Sequence, residues 1–316
     1  MKNKCLLFFI VVTMFCTAQE KEYNSTKIRV NNFVNGTLIT PYSDEAVPLI
    51  IFIMDSGAVN RDGNDRMSKN DTFKKLSRAL AKLGIATFSY DKRLFSIDKL
   101  GIQEHQITLN DFIKDASSVI DYFKTNGTYS KIVIAGHGQG SLVGMIAARE
   151  KADAFISLMG NGHSIDQVII EQISKQAPGL DKSASNAFQQ LKQGNRATGY
   201  DPALASIFGP KVQSFMRSWL QYTPTEEIAK LDIPILIMHG DKDIQVDIFQ
   251  SELLKEAKPE ASLLIIKNMN HILREIEGTR LENHKSYNEY WRVIMPEAIE
   301  GIANFVNQTE QTAIKN

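Results

Sequence analysis

Cysteine is nearly absent from this chain of 316 residues, and the two that occur, Cys5 and Cys16, both lie close to the N-terminus. The rest of the chain therefore has no disulfide, no thiolate nucleophile and no cysteine-based metal site. An excess of charge of one sign is also lacking, since Lys+Arg and Asp+Glu each number 36. This balance does not indicate nucleic acid or an anionic membrane as a partner. No metal-ligand spacing such as H-E-x-x-H occurs, and we expect neither a metal nor another cofactor.

The N-terminal segment carries the pattern of a targeting sequence. Lys2 and Lys4 precede the apolar run 6–15, and Cys16-Thr17-Ala18 places small residues before a cleavage point. This pattern predicts a secretory signal peptide over residues 1–18 and an exported protein, periplasmic or extracellular, that is free of the membrane after cleavage. The apolar run is short for a membrane span, although an uncleaved anchor remains the alternative.

Apolar runs alternate with helical periodicity along most of the chain. The segments 72–83 and 109–123 repeat apolar residues at helical spacing, and nearly unbroken apolar runs separate such segments. Runs of this kind are typical of strands buried on both faces of a parallel sheet. We therefore predict an α/β fold with a mostly parallel central sheet flanked by helices. The predicted strands are Ile28–Val34 and Thr37–Thr40, joined by a turn at Asn35-Gly36, then Val47–Met54, Ile85–Tyr90, Lys131–Ala135, Ala154–Met159, Ile233–Met238 and Ser262–Ile266.

One long stretch, residues 163–230, interrupts the alternation and shows only helical pieces. We predict that it is an α-helical cap inserted into a core formed by 19–162 and 231–306, with a flexible tail over 307–316. Aromatic side chains of the cap are candidates for lining a substrate pocket, although their helical spacing is also typical of cap core. These candidates are Phe215, Trp219 and Tyr222.

A glycine-rich turn follows the strand at 131–135 and leads into a helix over 142–148. The turn reads Gly136-His137-Gly138-Gln139-Gly140. This is the strand–turn–helix context in which α/β-hydrolases hold a nucleophilic serine, with the pattern G-x-S-x-G. Gly138 occupies the serine position, so the turn of a serine hydrolase is predicted without its nucleophile. Ser141 lies about one helical turn further on and is expected to face the helix packing.

The remaining members of a catalytic triad are predicted in the order acid, then histidine, after the nucleophile. Asp243 follows the strand ending at Met238, in His239-Gly240-Asp241-Lys242-Asp243, and is favoured as the acid over Asp241. His271 follows the next strand and is the candidate base. An oxyanion hole needs two N–H donors, and we predict the backbone of Gln139 and of Ser56 for them.

Several further motifs extend this pattern along the chain. Arg61-Asp62-Gly63-Asn64, Tyr90-Asp91-Lys92-Arg93 and Met269-Asn270-His271 accompany Asp243 and the glycine turn. With them the sequence resembles secreted bacterial α/β-hydrolases of the carboxylesterase type, close to the serine-aminopeptidase-like group, from about residue 26 to residue 306. The resemblance implies the α/β-hydrolase fold, carboxylic-ester hydrolysis and a small-molecule ester or acyl ligand.

The chain departs from that family at three places around the site. Gly138 replaces the serine, Asp55 and Ala58 replace a glycine and a proline of the oxyanion loop, and 94–96 replaces a glycine-rich continuation. An inward-facing carboxylate at Asp55 would oppose the negative charge that acyl transfer develops. We therefore expect that ordinary serine-hydrolase turnover is lost or very weak. The alternatives are a non-catalytic ligand-binding protein on this scaffold, and a water-activating hydrolase or lyase that uses His271 with Asp243.

Overall fold

The structure, a computed structural model, describes residues 22–313, with side chains through residue 308. The predicted signal peptide lies outside the described residues. Within them no helix combines the length and the apolarity that a membrane crossing requires.

The core is an eight-stranded sheet in the order β1-β2-β4-β3-β5-β6-β7-β8. The strands β1 and β2 form a hairpin, β2 pairs antiparallel with β4, and all the later pairings are parallel. This confirms the predicted α/β-hydrolase fold with a mostly parallel sheet. The strands are β1 (Tyr23–Arg29), β2 (Asn35–Pro41), β3 (Leu49–Ile53), β4 (Ala86–Tyr90), β5 (Ile132–His137), β6 (Ala154–Leu158), β7 (Ile235–Gly240) and β8 (Ser262–Ile266).

The predicted hairpin turn at Asn35-Gly36 is wrong. Both residues belong to β2, where Asn35 pairs with Arg29, and the chain reverses over residues 30–34. The side chain of Asn31 closes that reversal, because its Oδ1 accepts hydrogen bonds from the backbone N–H of Phe33 at 2.8 Å and of Val34 at 3.0 Å. An asparagine side chain that bonds the backbone two residues on is a common way to stabilise a turn.

Helices cover both faces of the sheet, and only helices and short turns lie between β6 and β7. The last helix continues to Ala313, so the predicted start of the tail at residue 307 falls inside it. The helices are α1 (Thr72–Lys82), α2 (Ile97–Leu100), α3 (Leu109–Thr125), α4 (Gln139–Ala148), α5 (Ile165–Gln176), α6 (Asp181–Lys192), α7 (Ala205–Phe208), α8 (Gln213–Trp219), α9 (Pro224–Ala229), α10 (Phe249–Ala257), α11 (Arg280–Ser286) and α12 (Pro296–Ala313).

The central strands β3, β4, β5 and β6 are buried along their whole length. Their side chains alternate between the two faces, and each face belongs to a separate apolar cluster beneath its own layer of helices. Burial on both faces explains why these strands appear as unbroken apolar runs in the sequence. The sheet is therefore a rigid platform for the loops at its carboxyl edge.

Helix α4 packs unusually close to the sheet. A Cβ on Gly140, in the first turn of α4, would lie 2.2 Å from the carbonyl oxygen of Ile53 and 2.7 Å from that of Met54. These oxygens belong to the backbone and have little freedom to move. Glycine at this position thus lets the beginning of α4 approach the end of β3, where the loop of Asp55 begins.

We predict that Gly140→Ala destabilises the fold, at about 1–3 kcal/mol, because an added methyl group forces the helix away from β3. Gly144→Ala, in the same helix, is the matched control, since its Cβ would meet side-chain atoms of Phe155, Ile134 and Ile53, the nearest at 2.9 Å, rather than backbone at 2.2 Å. Thermal or denaturant unfolding of both variants measures the difference. Equal stability of the two variants would contradict a close backbone approach at Gly140.

Candidate active site

The turn between β5 and α4 has the geometry of a nucleophile elbow. Gly138 links the two elements with φ +51° and ψ −116°, a conformation that residues with a Cβ rarely adopt. Its N–H donates to the carbonyl oxygen of Leu158 on the neighbouring strand β6 at 2.9 Å. The turn therefore keeps a strained shape even though Gly138 has no side chain to present.

The space above Gly138 is filled by Asp55, which follows β3. A Cβ on Gly138 would lie 2.0 Å from Asp55 Oδ1, 2.3 Å from its Cγ and 2.8 Å from its Oδ2. The Asp55 carboxylate thus occupies the volume that a serine side chain at position 138 would need. The side chain of Asp55 points into the site. The sequence alone did not determine this orientation.

Both predicted oxyanion-hole donors point at the same atom. Asp55 Oδ1 accepts hydrogen bonds from the backbone N–H of Gln139 at 2.8 Å and of Ser56 at 2.6 Å. The structure therefore brings Ser56 and Gln139 together as expected, but the oxygen between them belongs to the protein. No donor of this pair is free for a substrate oxygen.

The other carboxylate oxygen of Asp55 contacts the predicted base. His271 Nε2 lies 3.0 Å from Asp55 Oδ2, and His271 Nδ1 lies 2.7 Å from Asp243 Oδ2. Asp243 Oδ1 in turn accepts hydrogen bonds from the N–H groups of Gln245 and Val246. The imidazole of His271 is thus held between two carboxylates, and Gly138, Asp243 and His271 lie together in the predicted order.

The charges within this chain of contacts reinforce one another. Burial alone would lower the pKa of His271, but the carboxylates of Asp243 and Asp55 raise it to about 10. Burial alone would raise the pKa of Asp55 and of Asp243, but the hydrogen bonds and charge of His271 hold both well below the usual carboxyl range. At neutral pH the site is therefore carboxylate, imidazolium, carboxylate.

The loop of His271 is fixed from behind. The side-chain amide of Asn270 donates to Asn283 Oδ1 at 3.0 Å and to Ser286 Oγ at 2.9 Å, while its oxygen accepts from two backbone N–H groups of the same loop. The backbone oxygen of His271 lies 2.8 Å from Nε2 of His137. Burial and the charge of His271 lower the pKa of His137 to about 4, so His137 is a neutral donor.

Lys92 fixes the loop of Asp55 from below the site. Its Nζ donates to the backbone oxygen of Asp55 at 2.6 Å and to Oε1 of Gln139 at 2.9 Å, and it lies 4.5 Å from the ring centre of Phe112. Burial lowers the pKa of Lys92 to about 8, against the opposing charge of Asp55. One buried ammonium thus ties the oxyanion loop to the elbow.

Two retained motifs are joined by a salt bridge beside this lysine. Arg61 reaches both carboxylate oxygens of Asp91, with Nε at 3.0 Å and Nη2 at 2.6 Å, and the backbone N–H of Arg61 donates to the same group at 2.9 Å. A two-pronged pair of this kind is a strong and directional contact. The motifs 61–64 and 90–93 therefore have a structural role that does not depend on turnover.

Two cavities lie beside the loop that contains Asp55 and Ser56. The larger, about 350 Å³, is mainly apolar and lies under α7 and α8, with Phe215 and Trp219 on its wall and Ser56 and Gln139 at its base. The smaller, about 180 Å³, is lined by Asp55, His271 and residues of the 59–73 segment. Ser56 borders both cavities.

Tyr222, the third predicted pocket residue, does not line either of these cavities. Its hydroxyl donates to Oδ1 of Asn110 on α3 at 2.8 Å, and its ring packs against the core. Tyr222 follows the end of α8, and its place in a substrate pocket stays a prediction. Phe215 and Trp219 lie within α8 and contact each other edge to face at 5.8 Å.

Two nearby residues have structural roles. Asp241 Oδ1 accepts the backbone N–H of Asn268 at 2.6 Å and stabilises the turn. Ser141 is buried, and its Oγ lies 2.8 Å from Oγ of Ser157 beneath the elbow. Ser141 therefore faces the helix packing, away from His271.

Among the described residues one group brings potential metal ligands together. Ligand atoms of Asp55, His137 and His271 lie within 4.8 Å of one another. The Nε2 atoms of both histidines already contact protein oxygens, and a cation would have to displace the contact between His271 and Asp55. The imidazolium of His271 and the neutral imidazole of His137 donate these hydrogen bonds, and the oxygens that accept them belong to the protein. The hydrogen bonds of the site are therefore satisfied without a cation.

The fold and this site define an α/β-hydrolase, and the comparisons with known proteins agree. Est1E from Butyrivibrio proteoclasticus superposes with a TM-score of 0.56 at 19% identity, covering 90% of this chain and 98% of that chain. A truncated carbohydrate esterase from gut microbiota superposes with a TM-score of 0.55 at 16% identity, covering 92% and 98%. At these identities the likeness concerns the fold.

Residues 38–257 match the BD-FAE family, and the chain belongs to that family. The probable aminopeptidase YbaC of Bacillus subtilis (strain 168) is 32% identical over 105 residues, which is 33% of this chain. The match spans 26% of that relative's length.

We predict that His271 stays protonated from pH 6.5 to beyond pH 9, because its pKa is raised from 6.5 to about 10. The stability that this charge contributes is complete below pH 6.5 and is lost as the pH rises towards 10. Histidine NMR titration of the native protein, together with thermal unfolding over this range, measures both effects.

Asp55→Asn removes one of the two carboxylates that hold the proton, so the pKa of His271 falls in this variant. Asp241→Asn is the matched control, because Asp241 contacts only the turn at Asn268. A His271 signal that titrates near 6.5 in the native protein would show that Asp55 and His271 are not an ion pair.

Proposed function

We propose that this protein is an esterase-type α/β-hydrolase that has lost ordinary serine acyl transfer and binds a small ester-like or acyl-like ligand. The observation that carries the proposal is the position of the Asp55 carboxylate, which fills the space of a serine side chain at 138 and accepts both N–H groups of the oxyanion hole.

Three requirements of acyl transfer are not met at this site, namely a nucleophile, free oxyanion donors and a base that can accept a proton. Gly138 offers no nucleophile, and in a well-studied protease the loss of the nucleophile alone costs about 10⁶ in kcat. Asp55 holds the donors that would stabilise the oxyanion, whose contribution is about 10²–10³ for one donor. His271 carries a proton at neutral pH, so it cannot accept one.

The same geometry disfavours direct water activation by His271, or a lyase that uses it as a base. A general base must reach the proton that it abstracts with a free lone pair. His271 Nε2 instead faces Asp55 Oδ2 at 3.0 Å, and its pKa is about 10. The ligand-binding role is therefore favoured over an unaided general base.

The apolar cavity of about 350 Å³ is the proposed ligand site. Phe215 and Trp219 supply its aromatic wall, and Ser206, Ile207 and Met216 extend it. These residues belong to the segment 163–230, which supports its role as a cap. One of the similar solved structures is Est1E with bound ferulic acid. An aromatic ester of about the size of ferulic acid is a suitable probe for this cavity.

We also propose that the protein is exported, on the pattern of residues 1–18.

We predict that the native protein does not hydrolyse short p-nitrophenyl esters, and that Gly138→Ser alone does not restore hydrolysis. The new side chain would collide with Asp55, which would still fill the oxyanion hole. The double change Asp55→Gly with Gly138→Ser frees the space for the serine side chain and the donors of the oxyanion hole. Among the three proteins, hydrolysis is therefore expected only from this variant. Rates of p-nitrophenolate release from all three proteins test the idea.

Adding His271→Ala to the active double variant is the control, since triad chemistry requires this base. Robust hydrolysis by the native protein would contradict the proposed loss of acyl transfer. Activity of Gly138→Ser alone would show that Asp55 does not block the nucleophile position.

We predict that ethyl ferulate raises the melting temperature of the native protein without being cleaved, because a ligand that binds only the folded state stabilises it. Ferulic acid is expected to bind more weakly, since Asp55 holds the donors that a carboxylate would use. In Asp55→Gly those donors are free, and the affinity for ferulic acid should rise while that for the ester changes little. Calorimetric titration measures the four affinities, and no binding of either compound to the native protein would contradict the proposed cavity.

A further inference from the structure

The two oxygens of the Asp55 carboxylate have different surroundings. Oδ1 is held by two backbone N–H donors, whereas the one hydrogen-bond partner of Oδ2 among the described residues is the imidazole of His271. The side chain is 18% exposed and lines the cavity of about 180 Å³. An ionised carboxylate of this kind is a recognised protein nucleophile.

We propose that Asp55 is itself a nucleophile, and that this site hydrolyses small epoxides through a covalent ester of Asp55. This activity goes beyond the proposed function, because it concerns a saturated carbon rather than an acyl group.

Because Asp55 occupies the oxyanion hole, the site favours attack on a saturated carbon over attack on an acyl carbon. Attack on an acyl carbon develops a substrate oxyanion, for which Asp55 leaves no donor. Displacement at a saturated carbon develops no such oxyanion at the hole, so the donors on Oδ1 need not be vacated. When Oδ2 forms the new bond, Oδ1 becomes the carbonyl oxygen of the ester and already lies between Ser56 and Gln139.

In the first step Oδ2 forms a bond to an epoxide carbon, and the carbon–oxygen bond of the ring breaks. The electron pair of that bond goes to the epoxide oxygen. This oxygen takes the proton of His271 Nε2, directly or through one water. The products are a neutral ester of Asp55, a neutral imidazole and a hydroxyl group on the adjacent carbon.

In the second step a water molecule gives a proton to His271 Nε2 and its oxygen adds to Cγ of Asp55. Loss of the Asp55 charge removes one of the two anions that kept His271 protonated, so His271 now acts as a base. The negative charge that develops on Oδ1 meets the N–H groups of Ser56 and Gln139. The intermediate then expels the alcohol oxygen, which takes the carboxyl proton, and the site returns to carboxylate and imidazolium with a diol released.

An epoxide suits this site better than a substrate with an ionic leaving group. Its leaving oxygen stays attached and needs only a proton, which His271 carries. The walls of the small cavity carry the carboxylates of Asp55 and Asp65 beside neutral polar groups such as Ser68, Asn70 and Gln245, so they would repel an anionic leaving group. Strain in the three-membered ring supplies the driving force, so no metal or oxidant is required.

Styrene oxide with the full-length native protein is the first probe. Excess protein in oxygen-18 water should give a diol without the label in the first turnover, and the label should appear in the peptide that contains Asp55. Label in the diol of the first turnover, with none in Asp55, would mean direct attack by water and would overturn the proposal.

Acid quenching of the native protein during turnover of styrene oxide should trap the ester, seen as a mass increase on Asp55 by peptide mapping. His271→Gln lacks both the acid of the first step and the base of the second, so it should form neither ester nor diol. Asp55→Asn, shown to be folded by thermal unfolding, should form neither adduct nor diol. Asp241→Asn is the matched control, because Asp241 stabilises only the turn at Asn268, so the adduct should be unchanged. An adduct on a residue other than Asp55, or neither adduct nor diol with folded native protein, would overturn the proposal. Release of p-nitrophenolate is measured separately. The proposed loss of acyl transfer and the proposed attack by the Asp55 carboxylate are therefore tested by different measurements, and either proposal can fail without the other.

Discussion

The ion pair between Asp55 and His271 is the contact around which this site is arranged. A buried carboxylate or imidazolium without a partner is strongly unfavourable, and removing one member of a buried pair typically costs 3–5 kcal/mol. Here the imidazolium balances Asp55 on one side and Asp243 on the other, while backbone N–H groups neutralise the outer carboxylate oxygens. Each member depends on the others for its charge state.

This arrangement explains why the surrounding framework persists without a serine. Lys92 holds the backbone of the Asp55 loop, and Asn270 holds the backbone of the His271 loop. The pair of Arg61 with Asp91 fixes the segment that forms one wall of the smaller cavity. These side chains act on backbone groups and loop positions, so their roles remain when the reacting group changes.

Much of the fold follows from local patterns in the sequence. The strands β3 to β8 coincide closely with the predicted apolar runs. For β3 to β7 the cause is burial along the whole strand, which leaves a strong signal in the sequence. The hairpin turn was misplaced, because the side chain of Asn31 stabilises a reversal that an Asn35-Gly36 pattern does not reveal. Tyr222 was grouped with Phe215 and Trp219 on helical spacing, but α8 ends at Trp219, so the three residues do not share one helix.

The central feature of the site depends on contact between distant segments. The resemblance seen in the sequence predicted a departure at Gly138 and another at Asp55, each on its own. What it could not show is that one side chain fills the space left by the other. Positions 138 and 55 lie on loops that meet at the carboxyl edge of a parallel sheet. A side chain missing at one position and added at the other is the signal that connects the two positions.

The close fit between Asp55 and Gly138 also constrains how this chain can change over evolutionary time. Each position is tied to the residue now present at the other. A serine at 138 is crowded by Asp55, and a glycine at 55 leaves an empty space beside an imidazole that is paired with Asp243 alone. On the proposed function, neither single change gives an intermediate with esterase activity. Exchange between glycine and serine at position 138 therefore requires a coordinated change at position 55.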